Sequence, residues 1–286
     1  MFELISEHAC FGGVQRFYRH ASTEIGLSMR FGVYLPPQAQ QGPVPALFYL
    51  AGLTCTEETF AIKAGAQRLA AQYGIALITP DTSPRGAGVE GDSAAWDLGV
   101  GAGFYVDATQ APWAGHYRMD SYITRELYAA VLAQLPLDAK RVGIFGHSMG
   151  GHGALTLALR NPDLFRSVSA FAPIAAPTQC PWGEKAFSAY LGADRETWKQ
   201  YDASELVARA GCAFPEGILI DQGLSDGFLA EQLLPHVFEA ACEQAGQPLT
   251  LRRHAGYDHG YYFISTLIAD HLRHHAAILG GHAVGV

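Results

Sequence analysis

The stretch Val142–Gly151, reading VGIFGHSMGG, constrains this chain more than any other. An apolar run, Val142–Phe145, meets a helix-like run, Gly150–Asn161, across a G-x-S-x-G pattern. A strand that turns straight into a helix leaves no room for side chains two residues before and after the apex. Gly146 and Gly150 are therefore required, and Ser148 is forced into a strained backbone conformation. The turn lifts the Ser148 hydroxyl clear of the sheet. It also places that hydroxyl at a helix start, where free N–H groups and the helix dipole favour negative charge. The pattern predicts a nucleophilic serine at 148 rather than an ordinary tight turn.

The rest of the chain alternates in the same way. Met29–Leu35, Ala46–Leu50, Ile75–Thr79, Val168–Phe171, Ile218–Asp221 and Leu249–Arg253 read as strands. Gly65–Tyr73, Ser121–Leu135, Leu229–Ala245 and Tyr262–Leu279 read as helices. A glycine-rich, irregular region runs from Asp81 to about Arg118. Pro177–Arg209 reads as a polar helical insertion rather than core. Apolar strands alternating with helices predict a mostly parallel central sheet with helices on both faces. With the strand-turn-helix serine added, the expected class is α/β and the expected architecture the α/β-hydrolase fold. The 286 residues are 49% hydrophobic, enough for a large core, and no Ser/Gly tract or charge block offers a linker. A single domain over residues 1–286, with the insertion around 177–209, is the expectation.

Serine is a poor nucleophile without an adjacent base. In this fold the order is serine, then acid, then histidine. The histidines after Ser148 are His152, His236, His254, His259, His271, His274, His275 and His282. His152 is too close in sequence to swing over its own serine. His271, His274 and His275 fall at i, i+3, i+4 on the last helix and read as a solvated face rather than a metal site, since no carboxylate or cysteine completes one. His282 sits in a Gly-rich tail. His259 lies in the loop between the last strand and the last helix, where the fold presents its base. Asp226, beyond the end of the Ile218–Asp221 strand, is the expected acid, with Asp221 its main rival. Asp258 adjoins His259, and sequence neighbours rarely point at each other. The oxyanion hole is expected from the backbone N–H groups of Met149, after the nucleophile, and Leu53, in the loop Leu50–Thr56.

Other classes are disfavoured. Net charge is −8 with the two signs interspersed, so nucleic acid is not expected as a partner. Residues 1–13 carry Glu3 and Glu7 and lack a basic region before a long apolar run, unlike a secretory signal. No run approaches the ~18 apolar residues of a membrane span. The five scattered cysteines suggest neither a disulfide framework nor a metal pair, and point to a reduced, cytoplasmic protein.

Several segments together resemble the S-formylglutathione hydrolases, the esterase D family. They are Gly52–Thr56 (GLTCT), Pro80–Gly86 (PDTSPRG), Trp96–Thr109 (WDLGVGAGFYVDAT), Tyr117–Met119, Gly146–Ala154 (GHSMGGHGA), Cys180–Gly183 (CPWG) and Tyr257–Phe263 (YDHGYYF). They span nearly the whole chain in order, and the long glycine-rich one is far more specific than G-x-S-x-G. The resemblance implies a cytoplasmic, cofactor-free serine thioesterase that releases glutathione and formate from S-formylglutathione. It places that reaction as the last step of glutathione-dependent formaldehyde removal, and it implies a homodimer. Two positions depart from the family pattern: Thr59 where Asn is expected, and Asp120 where an aromatic residue is expected.

The resemblance also suggests that Cys55 lines the acyl pocket; read from its residue type alone, it is a small buried hydrophobe. Trp96 and Trp182 are candidate pocket walls or ordinary core, and Lys63 and Arg85 candidates for the glutathione carboxylates or merely solvated charges. A broader short-chain carboxylesterase or acyltransferase on the same fold is the alternative, because fold does not fix substrate. A non-catalytic binding module is the remote alternative, opposed by the complete set Ser148, Asp226 and His259.

Overall fold

The structure is a computed structural model and describes residues 1–280; His282 lies outside the described residues. Among the described residues nine strands form one sheet: β1 (Glu3–Cys10), β2 (Gly13–Ala21), β3 (Ser28–Leu35), β4 (Val44–Leu50), β5 (Ala76–Pro80), β6 (Leu137–His147), β7 (Ser167–Phe171), β8 (Ile218–Gly223) and β9 (Leu249–His254). Their order is β1-β2-β3-β5-β4-β6-β7-β8-β9. Every pairing from β5 to β9 is parallel, whereas β1, β2 and β3 are antiparallel to their neighbours. The mostly parallel α/β-hydrolase sheet expected from the apolar runs is what forms. β4 and β5 are buried at every residue, as strands covered on both faces must be.

The N-terminal hairpin of β1 and β2 has no counterpart among the predicted strands. β1 is an edge strand with no fully buried residue, so it lacks the apolar run that marks a central strand.

The helices are α1 (Thr59–Lys63), α2 (Gln67–Tyr73), α3 (Met119–Ser121), α4 (Tyr128–Gln134), α5 (Met149–Arg160), α6 (Pro181–Leu191), α7 (Arg195–Trp198), α8 (Ala203–Ala210), α9 (Pro235–Ala245) and α10 (Tyr261–Leu279). α10 packs on β6, β7 and β8 and against α2; α5 packs on β4, β6 and β7 and against α8. The expected helix over 229–245 is broken: Leu229–Leu233 winds as a π-helix, and Leu234 is left-handed just before Pro235. Proline at the first position of a new helix explains the break. The segment expected as a helical insertion outside the core carries α6, α7 and α8 but is not outside the core. Trp182, Phe187, Tyr190, Trp198 and Val207 join the main hydrophobic cluster, because spaced apolar residues in a polar segment still give each short helix one buried face.

Register sets up the site. β4 pairs with β6 so that Leu50 stands opposite Gly146, which brings the loop after β4 against the serine turn. β8 pairs with β9 so that Gly223 stands opposite His254, which brings the loops carrying Asp226 and His259 side by side. All four loops leave the C-terminal ends of parallel strands, where α/β sheets place their ligands.

Candidate active site

Ser148 joins β6 to α5 with φ 57° and ψ −119°, a conformation that L residues rarely adopt. Strain of this kind costs roughly 1–3 kcal/mol and persists only where surroundings over-determine it. Here they do: the Ser148 N–H donates to the Phe171 carbonyl at 3.0 Å, and its own carbonyl accepts from His152 N–H at 2.9 Å. A Cβ on Gly146 would collide with the Gly150 carbonyl oxygen, and one on Gly150 with that of Leu50. Both elbow glycines are thus sterically obligatory, as the motif predicts.

His259 lies two residues before α10, with its side chain 18% exposed. Its Nδ1–H donates to Asp226 Oδ2 at 2.6 Å. An ionised carboxylate only accepts, so this contact fixes the tautomer and leaves Nε2 with its lone pair. The carboxylate is itself held: Oδ1 accepts the Phe228 N–H at 2.8 Å and Oδ2 the Gln222 side-chain amide at 3.3 Å.

Asp221 is engaged elsewhere. It accepts a two-pronged pair from Arg252 at 2.6 and 2.7 Å, with His254 at 3.0 Å and His271 at 3.1 Å. Burial pushes its carboxyl up, but the hydrogen bonds from His271, Arg252 and His254 outweigh that and hold it well below the usual range.

The last-helix histidines need correction. His271 and His275 are fully buried rather than solvated. Ser169 Oγ bonds both at 2.8 Å, Ser167 Oγ meets His275 at 2.7 Å, and the His271 ring stacks on Phe171 at 3.6 Å. Hydroxyls supplied by β7 satisfy these rings, which a helical pattern cannot announce. Among the described residues no group of His, Cys, Asp and Glu is arranged to hold a metal. His152 is also buried, and one of its ring nitrogens bonds the Phe104 carbonyl at 2.9 Å, which anchors the glycine-rich segment.

That segment packs on the loop after β4. Thr54 N–H donates to the Gly101 carbonyl at 2.9 Å, and Tyr105 hydroxyl to the Ala51 carbonyl at 2.8 Å. A Cβ on Gly101 would stand 3.0 Å from Thr54 Cα, so this close approach needs glycine. Gly52 borders Ser148, with its own added Cβ 3.2 Å from Ser148 Cβ. Neither Leu53 N–H nor Met149 N–H has an acceptor among the described residues, so both can bind an oxygen atom.

Arg85 pairs with Asp81 and donates to the Cys55 carbonyl at 3.1 Å, so its charge holds the Cys55 loop in place. Lys63 is exposed, and its ammonium lies 5.7 Å over the Tyr261 ring. Trp96 is 55% exposed and meets Trp182 edge-on at 5.6 Å. The wall continues through Phe228, 4.7 Å from Trp182 and 5.0 Å from His259. Phe228 escaped the sequence reading; its position two residues after the expected acid was the one available signal. Of the departing positions, Thr59 Oγ1 accepts the Thr56 N–H at 3.0 Å, and Asp120 pairs with Arg160 at 3.1 Å.

Cys55 is half-buried, with Thr59, Lys63 and Tyr261 around its thiol. Burial pushes that thiol up, so little thiolate exists at neutral pH. Alkylation is expected to inhibit slowly at neutral pH and faster as pH rises, while exposed Cys212 reacts first without loss of activity. The Cys55→Ala variant should remain active and become insensitive to the reagent. Loss of all activity in the folded variant would make the thiol catalytic.

An elbow serine and a carboxylate-held histidine, both on loops at the C-terminal edge of this sheet, are the parts of a serine hydrolase of the α/β-hydrolase fold. Residues 22–274 match the family model described as "Putative esterase". The S-formylglutathione hydrolases of Mus musculus and Paracoccus denitrificans are 55% and 54% identical to the chain, covering 96% and 98% of it and 98% and 99% of their own lengths. The solved S-formylglutathione hydrolase of Agrobacterium tumefaciens superposes with a TM-score of 0.94 at 49% identity, over 97% of this chain and 99% of that one. The chain belongs to the S-formylglutathione hydrolase family.

Proposed function

We propose that the chain hydrolyses S-formylglutathione to glutathione and formate through Ser148, His259 and Asp226. The observation that carries the mechanism is the 2.6 Å bond from His259 Nδ1 to Asp226, which leaves Nε2 as the base. Ser148 Oγ attacks the thioester carbonyl as His259 takes its proton. The N–H groups of Leu53 and Met149 hold the oxyanion, a contribution of roughly 10²–10³ in rate per donor in other hydrolases. The C–S bond breaks, and the His259 proton goes to the departing glutathione sulfur. Water then loses a proton to His259 and attacks the formyl ester. Formate leaves, and the proton returns to Ser148 Oγ. No step calls for a metal or cofactor.

The wall of Trp96, Trp182 and Phe228 bounds the space beside His259, and Cys55 lies on the oxyanion loop, two residues after Leu53. Lys63 is proposed to meet a glutathione carboxylate: it is exposed and has no carboxylate partner among the described residues, unlike Arg85. A homodimer in a reducing cytoplasm completes the reading; it is supported by the family pattern and by the five free cysteines. Among the described residues no helix is long and apolar enough to cross a membrane.

Comparing kcat/KM for S-formylglutathione, a neutral aryl acetate and a long-chain acyl thioester tests the substrate. S-formylglutathione should be preferred by orders of magnitude; equal rates on the acetate would favour a general carboxylesterase. Lys63→Gln should raise KM for S-formylglutathione severalfold and leave kcat and the acetate reaction unchanged.

A further inference from the structure

His147 ends β6, one residue before Ser148, and is 6% exposed. Its ring lies 4.4 Å from the His259 ring, tilted by 46°, and 6.2 Å from that of Tyr261. A Cβ on Gly52 would stand 3.3 Å from His147 Nδ1, so the ring also borders the oxyanion loop. Both ring nitrogens are buried without a hydrogen-bond partner among the described residues; the His259 backbone approaches without forming a bond of normal geometry. Burial, with the charge of His259 beside it, pushes this imidazole well below its ordinary value and keeps it neutral.

Packing alone does not select this side chain. A buried nitrogen without a partner costs free energy, and a phenyl ring would fill the same place without that cost. A polar ring at this place is suited to a role that a phenyl ring cannot fill. The neighbour that changes charge is His259, which becomes an imidazolium each time it takes a proton. In a buried site, a dipole beside a developing charge acts with little screening.

We infer that His147 is a positioning residue that backs the His259 ring and, through its neutral imidazole dipole, stabilises the imidazolium formed in both half-reactions. The inference rests on Ser148 and His259 being nucleophile and base. The titratable groups facing His147 are His259 and Tyr261. Around His259 stand Asp226, His147 and the adjacent Asp258, whose carboxylate accepts the Gly260 N–H at 2.9 Å; Lys63 lies beyond, over the Tyr261 ring. All but His147 are unchanged in the variants below, so a change in pH profile reports on residue 147.

The test compares His147→Phe, which keeps ring shape without nitrogens, with His147→Gln, which keeps a donor and an acceptor. KM should stay near that of the parent, and the thermal midpoint of His147→Phe should equal or exceed the parent's. In His147→Phe, kcat should fall on the order of tenfold, and the acidic limb of the kcat/KM profile should move about one unit lower, because a less supported imidazolium gives up its proton more readily. His147→Gln should lose less, and it carries the test if the phenylalanine variant does not fold. An unmoved acidic limb with full kcat in His147→Phe would overturn the inference. So would a larger loss in His147→Gln than in His147→Phe, which would make shape the decisive property. Running both variants on the aryl acetate as well as S-formylglutathione separates failure of this inference from failure of the substrate reading.

Discussion

Replacing Ser148 with alanine is expected to abolish turnover, by a factor on the order of 10⁴ or more in kcat, with the fold retained. The elbow glycines and the hydrogen bonds that hold the turn use backbone atoms and survive the change. The substitution removes the only protein atom that bonds the acyl carbon in the proposed cycle, so no acyl-enzyme can form. Retention of more than a few per cent of kcat would refute Ser148 as nucleophile. Ser148→Gly should be equally inactive and the more stable of the two. Alanine keeps a Cβ at φ 57°, whereas glycine escapes that strain. The relief of roughly 1–3 kcal/mol exceeds the ~0.5–1 kcal/mol that glycine loses in backbone entropy. Thermal denaturation of the two inactive variants reads the difference directly.

The two aspartates should separate into one loss of rate and one loss of stability. Asp226→Asn keeps shape but presents an amide to His259 Nδ1, which favours the wrong tautomer. In a comparable triad that costs on the order of 10⁴ in kcat. Asp221→Asn leaves the Asp226–His259 bond intact, but it removes the charge that buried Asp221 shares with partly exposed Arg252 and weakens the contacts to His254 and His271. Removing one partner of a fully buried pair costs roughly 3–5 kcal/mol, and the partial exposure of Arg252 sets that as the upper end here. The folded Asp221→Asn protein should keep kcat within about tenfold while its denaturation midpoint drops sharply. A crippled but stable Asp221→Asn, beside a near-normal Asp226→Asn, would exchange the two roles.

The catalytic candidates were legible because local rules place them. Gly146 and Gly150 announce the turn through backbone sterics within five residues. Asp226 and His259 follow from chain order and from the loops that end two predicted strands. What escaped depends on partners distant in sequence. β1 carries no apolar run because solvent covers it at the sheet edge. His271 and His275 resemble surface residues until the hydroxyls of Ser167 and Ser169 on β7 meet them inside the core.

The sequence by itself determined the serine turn and the alternation that makes a parallel sheet, since each is set by residues close in the chain, and it offered Ser148, Asp226 and His259 as candidates by their order. Only the tertiary structure decided that Asp226 rather than Asp221 holds His259, that Arg85 is committed to Asp81 and the Cys55 carbonyl, and that Phe228 and His147 flank His259. Those outcomes depend on the β8–β9 and β4–β6 registers and on loops packed across them. Hydrogen bonds and ring contacts between residues remote in sequence are fixed by where strands lie in space, and no local pattern encodes that distance.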